Sequence, residues 1–354
     1  MSGYAMKRHL VRVRILHVVI IVLLSGLCVT LVEGGFYIFN AFHKKNITIA
    51  GDILERNFFQ DDDALGYKPK PNMRVTSIFK ENDTVIYNAV YSTDNYSRRL
   101  TPDHADGIPK KKFALFFGCS YTFGEGLNDN ETLPYFFSRL QPAYRSYNYG
   151  LSGYGPQQML EHLKRKGVET EIAEKKGILI YTFIDHHVNR VIGTMRSYSI
   201  WADIMPYYFL DEEQKLVRQG SFRTGRPFLN AVYGVLNKSQ VVKALNLDFP
   251  KIRGHHLLLT ARIFDESKKI FEKKFKSNKF YVLFYPGSQH VRSLKPYLQQ
   301  FKIDYLDYSG LFDPREPQYH ITGDVHPSAA AFKILAEQIC HDMPALAATG
   351  PAAP

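Results

Sequence analysis

The chain has 354 residues, 45% hydrophobic and 22% charged, which suits one sizeable α/β domain with an appendage and leaves little chain for a second full domain. Its net charge of +11 comes with no zinc-knuckle, RNP-like or helix-turn-helix pattern, so nucleic acid is excluded as a partner and the basic residues read as a solvated face. Three cysteines (Cys28, Cys119 and Cys340) are too few for a disulfide framework, and no two have metal-ligand spacing.

Lys7, Arg8, Arg12 and Arg14 precede an apolar run, Ile15–Leu31, which Gly34–Phe39 extends beyond a lone Glu33. Residues 15–39 are long enough to cross a bilayer with help from their flanks. The basic residues on their N-terminal side place segment 1–14 in the cytoplasm. A cleaved signal peptide is the competing reading, but no small-x-small site follows the apolar core. The expectation is a single-pass inner-membrane anchor with everything beyond about residue 42 in the periplasm or otherwise outside the cytoplasm.

Residues 40–112 read as a stalk and a small accessory β region. Gly66–Asn72 is turn-rich, and Thr76–Phe79, Thr84–Asn88 and Val90–Ser92 have strand composition. From 113 to 343, apolar strands alternate with helical periods, the signature of a mainly parallel sheet covered by helices. The strands are predicted at Phe113–Phe117, Ser146–Asn148, Ile178–Phe183, Phe280–Tyr285 and Ile303–Leu306. The helices are predicted at Glu131–Leu140, Pro156–Lys166, His256–Lys274 and Ala329–Cys340. An inserted hairpin is expected near 205–225, and 344–354 reads as a disordered tail.

The chemistry concentrates at the ends of these strands. The first strand runs into Gly118-Cys119-Ser120, with Gly124 and Gly126 behind, which lifts a serine hydroxyl to the mouth of a sheet. Ester chemistry on serine needs an imidazole to take the proton and a carboxylate to hold that imidazole. Asp324-Val325-His326 offers both in one late loop. Backbone N–H groups must receive the oxyanion. That of Ser120 is one, and that of Gly153, in the glycine-rich loop 150–155, is another.

Gly118–Gly126, Asn148–Gly153 and Asp324–Ser328 together resemble three sequence blocks of the SGNH (GDSL-like) hydrolases, over about residues 113–341. The resemblance implies a three-layer α/β/α, flavodoxin-like fold and a serine esterase or acyl-transfer activity without metal or other cofactor. It assigns Ser120 as nucleophile, His326 as base, Asp324 as its orienting carboxylate, and Ser120 and Gly153 as oxyanion donors. The chain departs from the family at two positions. Cys119 stands where members commonly carry Asp, and Ile184 stands where they carry the Asn of the third block. A His186 or His187 side chain, or Asn189, is the expected replacement donor. Asp185 is read as a possible partner of Arg190.

These readings give a membrane-anchored esterase acting on O-acyl groups of a glycan or lipid through an acyl-serine. Two alternatives stay open: an O-acetyltransferase or accessory protein of polysaccharide modification using the same site, and a non-catalytic binding module on the same fold. The sequence sets no oligomeric state.

Overall fold

The computed structural model describes residues 2–42, 46–103, 107–198 and 202–348. Part of the expected stalk (43–45) and the end of the expected tail (349–354) lie outside them.

The chain begins with one long helix, α1 (Ser2–Phe42), whose apolar part, Val13–Phe42, is long and apolar enough to cross a membrane. Its side chains from Ile15 to Leu31 are turned outward rather than into a protein core. The accessory region follows as β1 (Ile47–Ala50), β2 (Phe59–Asp62), β3 (Gly66–Pro69), β4 (Arg74–Glu81) and β5 (Thr84–Ser92). Strands β1, β4 and β5 form an antiparallel sheet, and β2 pairs with β3. The turn-rich stretch at 66–72 therefore starts with a strand. Its residues Gly66–Pro69 pair in register with Phe59–Asp62, a partnership that local turn propensity does not reveal.

The main domain is built on β6 (Lys112–Phe117), β7 (Tyr144–Asn148), β8 (Lys176–Phe183), β11 (Phe280–Phe284) and β12 (Asp304–Asp307). All four pairings are parallel, in the order β12-β11-β8-β6-β7. Counted within this sheet the order is 2-1-3-4-5, the flavodoxin-like arrangement. The strands read as unbroken apolar runs because helices cover both faces. Successive residues of β6 point to opposite faces. Phe113, Leu115 and Phe117 enter one core with the helices Pro156–Lys164, Gly254–Phe275 and Val291–Gln300. Ala114 and Phe116 enter the other, with the helices Leu133–Leu140 and Ala329–Ala348.

The inserted hairpin is present as β9 (Pro206–Leu210) and β10 (Leu216–Ser221). The last helix continues to Ala348, so residues 345–348 are helical and not part of a disordered tail. Their Ala-Leu-Ala-Ala sequence favours continuation of the helix. The helix Val291–Gln300, which carries Pro296 inside it, was not expected from the sequence.

Ligands of flavodoxin-like sheets bind beyond the carboxyl ends of the strands, where the strand order reverses. Here that point lies between β6 and β8. The accessory sheet packs beside it, since Tyr87, Tyr91 and Ala89 share a core with Phe123, Leu151 and Tyr154.

Candidate active site

Strand β6 ends at Phe117, and Ser120 opens the single-turn helix α2 (Ser120–Phe123). The turn between them is tight. Gly118 has φ +152°, and a Cβ there would sit 2.2 Å from Thr122 Oγ1. Cys119 is wholly buried with a free thiol, so it backs the turn and presents no nucleophile. Cys340 is likewise free.

The second loop is fastened directly to this turn. Asn148, at the end of β7, donates to Thr122 O (2.9 Å) and accepts from the Gly150 N–H (2.9 Å). Gly150 lies so close that a Cβ would meet Phe123 N at 2.6 Å and Thr122 Cβ at 2.7 Å. Gly150→Ala is therefore expected to cost about 1–3 kcal/mol, the usual range for overpacking, and to lower kcat in parallel. A urea titration alongside ester turnover would show both. The N–H groups of Ser120 and Gly153 donate to no acceptor among the described residues. They are the two donors the sequence nominated.

The third loop brings Asp324 and His326. The Asp324 carboxylate lies 2.8 Å from His326 Nδ1, and both side chains are largely buried. Tyr121, next to Ser120, docks on this loop. Its hydroxyl donates to Val325 O (2.9 Å), and its ring packs edge-on to the imidazole at 5.7 Å. Burial disfavours the imidazolium, but the Asp324 hydrogen bond and the charges of Glu125 and Asp324 outweigh it, and the His326 pKa lies above its ordinary value. Burial likewise disfavours the Asp324 carboxylate, yet its bonds to His326 and to backbone N–H groups lower its pKa.

Sequence reasoning missed Glu125. Its backbone N–H donates to Ser120 O (3.0 Å), so the helical turn that presents the serine also places this carboxylate. The carboxylate accepts from the Ser152 hydroxyl, beside Gly153, and stands 3.6 Å from His326 Nε2. In this resting arrangement Nε2 faces Glu125, and Ser120 Oγ makes no hydrogen bond among the described residues. Only the tandem Gly124-Glu125-Gly126 hinted at it.

The groups facing the imidazole are then Asp324, Glu125 and Tyr121, with the more distant positive charge of Arg190 opposing the two carboxylates. If His326 serves as the base that the sequence nominates, it must be neutral, and activity should rise with pH through a midpoint above the ordinary imidazole value of about 6.5. Glu125→Gln removes one stabilising charge, and the midpoint of the kcat/KM profile should move to lower pH. A profile that stays in place would show that Glu125 does not act on the base.

Of the residues nominated around the altered third block, none joins the serine by a hydrogen bond among the described residues. The block is followed at once by a helix, His186–Ile192. His187 turns into the core, where its Nδ1 accepts from the Ile184 N–H (3.3 Å) and lies 3.0 Å from the Tyr181 hydroxyl. Burial drives its pKa well below the usual imidazole value. His186 faces outward along a shallow cleft with Tyr121 and Ile184. Asn189 lies further along the helix, its carbonyl accepting the Thr194 N–H (3.1 Å). Asp185 accepts from the Gln289 and His290 N–H groups (2.7 and 3.1 Å). The residue of this helix whose charge is felt at the site is Arg190. It donates to Tyr154 O (2.7 Å), next to Gly153, and its charge works against the upward pKa shifts of both His326 and Tyr121 without reversing them.

No family model matches the chain, and no curated protein does. Among solved structures it is similar to an acetyl xylan esterase, Est2A, from Butyrivibrio proteoclasticus, with 10% identity over 76% of this chain and 68% of that one and a TM-score of 0.40. It is also similar to a catalytic mutant of Axe2, an acetylxylan esterase from Geobacillus stearothermophilus (13% identity, 67% and 95% of the two chains, TM-score 0.36). A third is AlinE4, an SGNH-hydrolase family esterase (12%, 70% and 100%, TM-score 0.35).

Proposed function

We propose that this chain is a membrane-anchored serine esterase of the SGNH type, working through an acyl-serine. The observation that carries the reading is the Asp324–His326 pair at 2.8 Å, docked through Tyr121 on the turn that holds Ser120. Strand order 2-1-3-4-5, with all three sequence blocks at the carboxyl end of one parallel sheet, supports it.

In the first step Ser120 Oγ attacks an ester carbonyl while His326 Nε2 takes its proton. Asp324 holds the other ring nitrogen, fixing the tautomer and stabilising the imidazolium. The N–H groups of Ser120 and Gly153 receive the oxyanion. With Ile184 in place of the third-block asparagine, Arg190 supplies positive potential from the helix that follows, His186–Ile192. The imidazolium then protonates the leaving alkoxide, and the ester C–O bond breaks. Water, deprotonated by the same imidazole, releases the acid and restores the serine. For Nε2 to reach Ser120, the Glu125 carboxylate must yield its place beside it. Helix α1 tethers the domain with its N-terminus in the cytoplasm, so the substrate is an O-acylated glycan or lipid near the outer surface of that membrane.

Treating the full chain with a fluorophosphonate serine probe tests the assignment. Labelling is expected on Ser120, with turnover of p-nitrophenyl acetate, and water should outcompete added sugar alcohols as acceptor. A chain that neither labels nor turns over the ester would sink the reading, and acyl transfer to the sugar in preference to water would replace hydrolysis by transfer.

A further inference from the structure

Outside the active site, the most unusual surface is the segment Pro227–Phe249. The helix Pro227–Leu236 carries no charged residue. Its inner face is normal: Leu229 and Tyr233 join the core that also holds Leu151 and Tyr154, beside the Gly153 loop. Its outer face is also apolar. Phe228, Ala231 and Val235 recur at the three- and four-residue spacing of one helix side, with Phe228 83% and Val235 70% exposed. A helix that is apolar all round belongs in a core or in lipid. Leu245 and Phe249 continue the exposed apolar surface past the next short helix, Gln240–Ala244.

This surface is continuous with α1. Glu33 accepts from the Ser239 hydroxyl and from the Gln240 N–H, and Asn40 Nδ2 donates to Gln240 Oε1 (3.0 Å). Glu33 and Asn40 are two turns apart and lie on the same side of α1. The depth of this contact follows from helix geometry. About 20 residues cross the roughly 30 Å hydrocarbon core. A span beginning at Ile15, just after Arg14, therefore leaves the hydrocarbon near Gly34. Glu33 marks the boundary, and Gln240–Ala244 is held at its level. Tyr37, Phe39 and Phe42 beyond it are exposed aromatics suited to the headgroup zone. Lys238 and Lys243 are exposed beside the patch, complementary to anionic headgroups.

We propose that Pro227–Phe249 is a membrane-docking platform whose outer apolar face enters the surface of the same bilayer that α1 crosses. The inference rests on α1 being a retained span, not on the ester chemistry. Lipid is the occupant because the patch is fastened to the span at the depth where the span emerges.

The test uses the full chain in lipid nanodiscs with the fluorophore NBD on single cysteines. Phe228→Cys, Val235→Cys and, as a control on the tip of the β9–β10 turn, Glu213→Cys are each made with Cys28→Ser and Cys340→Ser; Cys119 is buried and does not label. Native Cys28, kept in a Cys340→Ser chain, reports on the span. Nitroxide lipid with its spin label near the headgroup should quench positions 228 and 235 at least about twofold more than 213, as expected for side chains in the interface. Nitroxide near the acyl methyl end should quench Cys28. If 228 and 235 match 213 while Cys28 is quenched, the platform is wrong and the anchor stands. If Cys28 is not quenched, both fall. A blue shift at 228 that fades on dilution and ignores the nitroxide would assign the patch to a second copy of the chain and overturn the proposal. Both positions are exposed and neither substitution opens a core, and a thermal unfolding transition matching that of the parent chain verifies each variant's fold.

Discussion

Ser120→Ala should abolish fluorophosphonate labelling and lower kcat/KM for p-nitrophenyl acetate by about 10^4-fold or more, the scale seen when an acyl-enzyme nucleophile is removed. His326→Ala should do nearly as much damage, and the double variant little more than either, because the two act as a unit. Asp324→Asn should cost about 10^4-fold in kcat while keeping the shape of the loop, since the amide favours the wrong imidazole tautomer. Thermal stability separates these losses from misfolding. Ser120 Oγ makes no hydrogen bond among the described residues, so Ser120→Ala should unfold within a degree or two of wild type. Persistent labelling of Ser120→Ala would move the nucleophile elsewhere.

The second large effect is on stability, at Arg99. This guanidinium is 2% exposed, sandwiched at 4.5 Å from the rings of Tyr91 and Phe123. It donates to Phe123 O (2.8 Å), Gly124 O (2.7 Å) and Leu127 O (2.6 Å), and pairs with Asp129 at 3.2 Å. Burial pulls its pKa down, partly offset by Asp129. One side chain thus binds the segment after Ser120, including the stretch that carries Glu125, to the accessory sheet. Arg99→Met leaves Asp129 buried with the Ser92 N–H as its remaining donor among the described residues and takes the donor from Leu127 O, while Phe123 O keeps Asn148 Nδ2 (3.4 Å) and Gly124 O keeps the Leu127 N–H (3.2 Å). Breaking one side of such a pair costs about 3–5 kcal/mol, or roughly 6–20 °C in Tm for a domain of this size. Arg99→Lys should recover only a fraction, because a point charge cannot serve the same acceptors as the planar fork. A Tm within 2 °C of wild type in Arg99→Met would show that the guanidinium is not what holds this segment.

Much of the molecule was legible from local pattern. The parallel sheet could be read because its strands are buried on both faces and so appear as unbroken apolar runs, as at Phe113–Phe117 and Ile178–Phe183. Asp324 and His326 could be paired because they stand two residues apart in one loop. The glycines after the first strand and in the loop 150–155 marked tight turns, and at Gly118 and Gly150 a side chain would indeed clash. The long N-terminal helix, apolar enough to cross a membrane, was legible from composition alone, as a run of apolar residues behind a basic segment.

What the sequence could not carry was every contact made across the chain. Arg98 and Arg99 look alike in sequence, like a solvated pair. Only tertiary packing separates them: Arg98 is buried against Tyr147 and Tyr149, while the accessory sheet folding over Phe123 buries Arg99 and makes it a clamp. Glu125 reads as an exposed turn residue until the Ser152 and His326 loops close on it from 27 and 201 positions away. The third block shows the limit in the other direction. His186, His187 and Asn189 were adjacent candidates in a line, but the helix that begins there points each a different way. That rotation sends His187 into the core and His186 along the cleft, and leaves Arg190 as the residue whose charge reaches the site. Sequence determined which residue types were available and which short-range pairs would meet, because those follow from periodicity and loop spacing. The tertiary structure alone decided which charges are buried and which carboxylate confronts the base, because burial and long-range electrostatics depend on elements distant in the chain.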